Sequence, residues 1–475
     1  MEERDKEKTL QAIFRDLVIP LSSAYLAVRR AMHWDEEGKA LKVGDRSYPL
    51  SQIKNMYLVG AGKAGVPMSK AVVEILQGNP LLWQKFQGGV VNVYREQARE
   101  KVPRVKCFAG DHPSPNQASV EGAKSSLDIL RRTTAGDLVV AVISGGGSSL
   151  LSLPADAIGL KEFCIVNELL VTGGASIQEI NTVRKHLCQV KGGKLRMAAR
   201  EANFLSLILS DVMGDDLSSI ASGPTVPDFS TFQDAIQVLQ KYGLWEKIPA
   251  QIKHYLQRAA EGKEEETLKG ELWEKELAKR TFSFLVASNS SLLKALATEL
   301  SKPGYKDMGQ PAVDFTPVTG KVEEAVERHF HEAAGLFEKV KQDGISRILL
   351  CGGESTVKVP EYLEGRGGRN QHYALLAAKK IAGYPWTVLS AGTDGIDGNS
   401  PAAGAIVDGD TIALARESGL DPEKSVADFD SYGFFRELEE RSGQRFLICT
   451  GPTGTNVNDI MLWWISRPLI EGATK

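Results

Sequence analysis

The chain reads as an α/β protein with two α/β domains, the first built on a doubly wound, Rossmann-like parallel sheet. Three observations predict this. The strand-like runs are continuously apolar, as in LVVAVI at 138–143, and strands buried on both faces read that way. Helical patterns alternate with these runs, the arrangement that places helices over a parallel sheet. Several of the runs end in a Gly-rich loop, and strand carboxyl ends line the crevice of such sheets. The 475 residues exceed one ordinary domain, and 42% hydrophobic with 25% charged residues supplies a large core.

The elements follow in order. Lys6 to Met32 has helical periodicity with an interruption at Pro20. Met56–Val59 is a strand that runs into GAGKAG and a helix to about Leu76. Gly89–Val93 is a second strand, and a helix capped by Asn116 extends to Leu130. Leu138–Ile143 leads into SGGGSS, and Ser176–Val190 is a helix stopped by Gly192 and Gly193. Phe204–Leu209 ends at Ser210-Asp211, so residues 50–215 fit one doubly wound unit. The Glu- and Lys-rich stretch Ala260–Arg280 is a surface helix or an inter-domain connection. Strands at Phe282–Ala287, Arg347–Cys351 and Thr387–Ala391 then alternate with helices at Ser290–Leu300, Lys321–Lys341 and Gln371–Ile381. The expected division is 1–265 for an N-terminal domain and 282–475 for a C-terminal one. The apolar stretch Ile460–Ile465, with Trp463 and Trp464, is core or interface, core being favoured.

A net charge of -3 without a basic stripe argues against a nucleic-acid partner. Five widely spaced cysteines without a CxxC pair fit buried thiols in a reducing compartment. The opening Met-Glu-Glu-Arg-Asp-Lys lacks a signal-peptide pattern, and no segment has the roughly 20 apolar residues of a membrane span. The expectation is a soluble, cytoplasmic protein with no membrane partner. Oligomeric state is open between monomer and homodimer.

The chemistry gathers in the glycine loops, where backbone N–H groups and helix N-termini cradle anions. In GAGKAG, Gly60, Gly62 and Gly65 match a dinucleotide fingerprint, yet the next strand ends Tyr94-Arg95-Glu96, a poor ribose acid. Lys63, at a helix start, opposes the helix dipole and is better explained as a charge aimed at an anion. Ser144, Gly145, Gly146, Gly147 and Ser148 of SGGGSS suit anion cradling; no GxSxG elbow and no P-loop occurs. Arg366 and Arg369 in GRGGRNQ, next to Asn370, suit bidentate recognition of phosphate or carboxylate. Loop acids Asp211, Asp215, Asp216, Glu354, Asp394 and Asp397 are candidates for metal, proton or ligand contacts, against a capping role for any one of them. His112, in AGDHPSPN, is either an acid/base group or a turn residue. Arg184, Lys185, Lys191 and Lys194 form a basic cluster that is either a solvated face or an anion holder, Lys194 being the binding candidate.

In order, VGAGKAG, AGDHPSPN, ISGGGSSLL, INTVRKHL with VKGGKL, LILSDVMGDDLSSIASGPT, LCGGEST, GRGGRNQ, SAGTDGIDGNSPAAGAI and TGPTGTNVND resemble the MOFRL-type, class II glycerate kinases over residues 59–459. The resemblance implies two α/β domains with the active site in the cleft between them. It implies ATP, a divalent metal such as Mg²⁺, and D-glycerate phosphorylated on its 2-hydroxyl. It assigns key roles to Lys63 and to an arginine of GRGGRNQ, Arg369 before Arg366. Some bacterial members carry the label hydroxypyruvate reductase, so an NAD(P)H-dependent reductase is the alternative. The mechanism expected is in-line attack on the γ-phosphorus, with Lys63 and Arg369 on the phosphoryl oxygens. Asp211 or Asp394 then holds Mg²⁺ or accepts the hydroxyl proton, with Asp397 a further metal candidate.

Overall fold

The computed structural model describes residues 3–360 and 362–467. The chain falls into two compact units. The first runs from Ala24 to Val286; the second joins the residues up to Ser23 to those from Ala287 onward.

The first unit opens with a three-stranded antiparallel sheet, β1 (Met32–Asp35), β2 (Ala40–Val43) and β3 (Arg46–Pro49), which lacks the apolar run that would have announced it. The main sheet holds β4 (Met56–Ala61), β5 (Phe86–Tyr94), β6 (Val105–Gly110), β7 (Leu138–Ile143), β8 (Asn203–Leu209) and β9 (Thr281–Ala287), in the order β6-β5-β4-β7-β8-β9. Pairing is parallel from β6 through β8. Numbered within the sheet, this is the doubly wound order 3-2-1-4-5-6, with the topological switch between β4 and β7. All six residues of β7 are buried, as its unbroken apolar run requires. Helices such as Gly65–Gln77 and Gln117–Leu130 cover the sheet, and Asn116 caps the latter through the Ser119 N–H.

The second unit carries β10 (Gln310–Val313), β11 (Arg347–Gly353), β12 (Trp386–Gly392), β13 (Gly404–Asp408), β14 (Leu447–Ile448) and β15 (Asp459–Ile465), in the order β10-β11-β15-β12-β13-β14. Only β10 and β11 pair in parallel; β15 lies antiparallel between β11 and β12. The apolar stretch Ile460–Ile465 is thus the middle of a sheet, with Trp463 and Trp464 buried in it.

Two parts of the expected division change. Phe282–Ala287 was assigned to the C-terminal domain, but it is the edge strand of the first sheet, beside β8. The N-terminal helix was assigned to 1–265, but it packs on β12 and β13 in the second unit, where Lys6 Nζ donates to the Pro385 carbonyl. The interruption expected at Pro20 takes the form of a widened turn rather than a break at the proline itself. The turn over Phe14–Val18 widens just ahead of the proline, which has no N–H to give, and the break comes at Ser23. The Ala260–Arg280 stretch lies within the first unit and forms short turns leading into β9. Among the described residues no helix is long and apolar enough to cross a membrane.

Candidate active site

In the first unit, β4 and β7 are neighbours from which the chain winds outward in opposite directions, so a crevice opens over their carboxyl ends. GAGKAG and SGGGSS end these two strands and are stitched together. Lys63 N donates to the Gly145 carbonyl (2.8 Å), Ala64 N to Ser144 Oγ (3.0 Å) and Ser144 N to the Ala61 carbonyl (3.0 Å). The glycines of the apparent dinucleotide fingerprint are accounted for by packing. A Cβ on Gly60 would lie 2.4 Å from Val142 Cγ2, and one on Gly62 (φ +132°) 2.1 Å from Ser144 Oγ. Gly60, Gly62 and Ser144, expected at the ligand, are therefore buried loop and strand contacts.

Lys63, half-buried, lies along the open side of the second loop: a Cβ on Gly146 would be 3.1 Å from Lys63 Cγ and 3.5 Å from His112 Cδ2. Asp211, just past β8, presses on Gly145 so closely that a Cβ there would sit 1.7 Å from Asp211 Oδ2. Burial pushes the Asp211 carboxyl above its usual range, and the Lys63 ammonium opposes that rise. Burial, then Lys63 and Arg184, hold the His112 imidazole below its ordinary value, favouring the neutral ring. Gly147 is packed on Ala221, and Ser148 Oγ shares a 2.9 Å hydrogen bond with Ser222 Oγ, which in turn donates to Asn181 Oδ1. The crevice thus joins Lys63, Asp211, His112 and the Gly145–Gly147 backbone in one unit. Asp216 instead folds back on its own loop, accepting from Ser218 and Ser219.

The basic cluster of residues 184–194 is not a solvated face, and the Lys194 ammonium, expected at a ligand, is engaged by backbone carbonyls. Lys194 Nζ donates to the Lys185 and Cys188 carbonyls (3.3 and 3.0 Å), Lys191 Nζ to the Leu151 carbonyl (2.6 Å), and Lys185 pairs with buried Asp228 (3.1 Å). A cavity of about 480 Å³ does include Lys194, but it is lined by Arg131, at the end of the Gln117–Leu130 helix, and by Arg200, ahead of β8. Those two residues stand ahead of the amino ends of β7 and β8, away from the glycine loops at the carboxyl ends, so its size does not make it the site of the chemistry.

In the second unit, Arg369 begins the helix Arg369–Lys380. Its Nε and Nη2 meet Asp459 Oδ2 and Oδ1 (2.5 and 3.0 Å), and Nη1 meets Glu354 Oε1 (2.8 Å). Burial alone would lower the guanidinium's pKa, but Asp459 above all, with Glu354 and Asp397, more than reverses this and raises it. Asp394 lies close by: its Oδ1 would be 3.0 Å from a Cβ on Gly392, and Asp459 Oδ1 3.4 Å from the same point. Arg366 is directed elsewhere, over the Tyr432 ring at 4.7 Å, and Asn370 is buried, bonded to Ser390 Oγ and Asp397. Asp397, expected as a metal ligand, caps the helix: its oxygens accept from Asn370 N (3.1 Å) and Gln371 N (2.8 Å).

Mg²⁺ takes oxygen ligands, so Asp211 in the first unit and Asp394 in the second fit it by donor chemistry, whereas Asp397 is already engaged. The group Asp314, His329 and Cys351 does not fit, because the Arg328 guanidinium already meets His329 Nε2 (3.1 Å) and Asp314 Oδ2 (3.3 Å). Sequence reasoning gave no role to Asp459. The available signal was an acid directly preceding a buried apolar run, which places a charge at the end of a central strand.

Residues 9–257 match a domain of unknown function, DUF4147, and residues 347–459 the MOFRL family. The chain is 38% identical over 416 residues to a glycerate 2-kinase of Pyrococcus horikoshii, covering 86% of each. A 36% identical protein of Agrobacterium vitis carries only a provisional name, as a hydroxypyruvate reductase. The crystal structure of glycerate kinase from Thermotoga maritima superposes with a TM-score of 0.80 at 31% identity, covering 97% of this chain and 99% of that one. The fold, the ordered loops and these relatives agree: the chain belongs to the MOFRL-type, class II glycerate kinase family.

Proposed function

We propose that the protein is an ATP-dependent glycerate 2-kinase, transferring the γ-phosphoryl group to the 2-hydroxyl of D-glycerate and releasing ADP and 2-phosphoglycerate. The observation that carries this reading is the crevice over β4 and β7, where Lys63 lies against a backbone cradle beside Asp211. Phosphoryl transfer needs placed positive charge and in-line alignment rather than a covalent nucleophile. Lys63 and Arg369 are assigned to the phosphoryl oxygens, and the Gly145 and Gly146 N–H groups to anionic oxygens of a ligand, since the Gly147 N–H already donates to the Ser144 carbonyl. Asp211 is assigned the proton that leaves the attacking hydroxyl, because a carboxyl raised by burial is the stronger base. A bound Mg²⁺ would neutralise phosphate charge, with Asp394 as the carboxylate able to hold it while Asp211 serves as the base. The free thiols of all five cysteines support a reducing, cytoplasmic compartment.

The test is ADP release with D-glycerate, ATP and Mg²⁺, the product read by phosphorus NMR. Turnover to 2-phosphoglycerate, reduced by about 100-fold or more in Lys63→Ala, is the expected result. NADH- or NADPH-dependent reduction of hydroxypyruvate without kinase turnover would replace this reading with the reductase.

A further inference from the structure

We propose that Asp459 is a positioning residue that holds Arg369 in its working orientation, while Glu354 only occupies the outer edge of the guanidinium until an anionic ligand displaces it. This rests on the role proposed for Arg369 in phosphoryl transfer.

The two carboxylates differ in kind. The Asp459 side chain is 0% exposed and grips the guanidinium through both oxygens; that of Glu354 is 46% exposed and uses one. A buried carboxylate has no water to return to, so losing its partner is costly, whereas an exposed one re-solvates readily. Asp459 is fixed by backbone register. It is the first residue of β15 and pairs with Gly353 at the end of β11 and Gly392 at the end of β12. Neither neighbour has a side chain, and an added Cβ on Gly392 would approach Asp459 Oδ1 to 3.4 Å. The paired glycines leave room beside the carboxylate. Asn289 Nδ2 adds a bond to the Asp459 carbonyl (2.9 Å) and one to that of Val457 (2.9 Å), tying down the backbone that carries it.

A guanidinium has five N–H groups in a rigid fork. Asp459 takes the Nε–Nη2 edge, and Glu354 pairs with Nη1 on the other side. An anion arriving from solvent competes with Glu354, not with Asp459. Removing each carboxylate therefore has a different consequence. Without Asp459 the arginine keeps its charge but loses its aim; without Glu354 it keeps its aim and binds an anion more easily.

The experiment compares steady-state rates of Asp459→Asn, Glu354→Gln, Arg369→Ala and the Asp459→Asn/Arg369→Ala double variant. Arg369 labelling by phenylglyoxal is followed in parallel by mass spectrometry. The expected result is a kcat loss of about 100-fold in Asp459→Asn that adds nothing to the loss in Arg369→Ala. Glu354→Gln lowers KM for an anionic substrate. Arg369 labels at least about tenfold faster in Asp459→Asn than in wild type. A kcat within threefold of wild type in Asp459→Asn, or a full further loss in the double variant, overturns the proposal. Should Asp459→Asn not fold, Asp459→Glu keeps the charge and moves it by one methylene, and the same thresholds apply. Should wild type not phosphorylate glycerate, the kinase reading fails by itself. The labelling ratio then decides alone: faster labelling upholds the assignment, and an unchanged rate removes it.

Discussion

A lysine serves an anionic ligand only where its charge is not already spent on the protein, and Lys63 and Lys194 separate on that point. Both stand beside glycines, and the sequence offered both as binding residues. Lys63 lies along the crevice with its charge felt by Asp211 and His112, while Lys194 is consumed by two backbone carbonyls. Gly145 gives a direct check on the crevice. A methyl group there would collide with Asp211, so Gly145→Ala should lower kcat by about tenfold or more. It should also destabilise the protein by about 1–3 kcal/mol, the usual cost of overpacking. Retained kcat in Gly145→Ala would mean that the position of Asp211 does not matter. Lys191 gives a pH test. Burial lowers its pKa from 10.5 to about 8, with Arg184 adding to the shift and Cys188 opposing it. Between about pH 8 and 10.5 the unfolded chain therefore binds more protons than the folded one, and this lysine's contribution to stability rises with pH across that window. The urea midpoint of wild type should climb relative to that of Lys191→Met over the same range. Parallel midpoints would contradict a depressed Lys191.

At the scale of elements, caps decide where helices begin, and some caps are local while others are not. Asn116 and Ser176 cap helices through residues three positions away, and these starts were readable because donor and acceptor share one turn of sequence. The helix Arg369–Lys380 is capped instead by Asp397, from a loop 26–27 residues downstream, and no local pattern announces that partner. Asp397→Ala should therefore cost about 0.5–2 kcal/mol, as other lost caps do, and loosen the first turn that carries Arg369. Hydrogen exchange should show lost protection at the start of this helix together with reduced turnover. An unaffected helix start would return Asp397 to the metal candidates. The strands missed by the sequence reading include β1–β3, β6, β10 and β13, which are mostly short or of mixed burial and lack the long apolar run that made β7 plain; β15 was read as buried core without being assigned as a strand.

At the scale of the whole molecule, chain order and structural membership part company at Ser23 and at β9. Removing the residues up to Ser23 should weaken protection of β12 and β13 and leave β4–β8 unchanged, because the N-terminal helix packs on the former pair. Hydrogen exchange on the truncated chain would show this, and uniform loosening would argue against the division. By itself the sequence determined the α/β class, the doubly wound unit, the family, the glycine loops and the candidates Lys63, Arg369 and Asp211. Each of these is written in neighbouring residues, as an apolar run, a glycine at a strand end or a charge where a helix starts. Only the tertiary structure decided which glycines are held by close packing, which lysines are spent on carbonyls, which sheet receives β9, and that Asp459 holds Arg369 from 90 residues away. Those outcomes depend on what lies opposite a residue across a sheet or loop, and single-sequence periodicity carries no record of that partner.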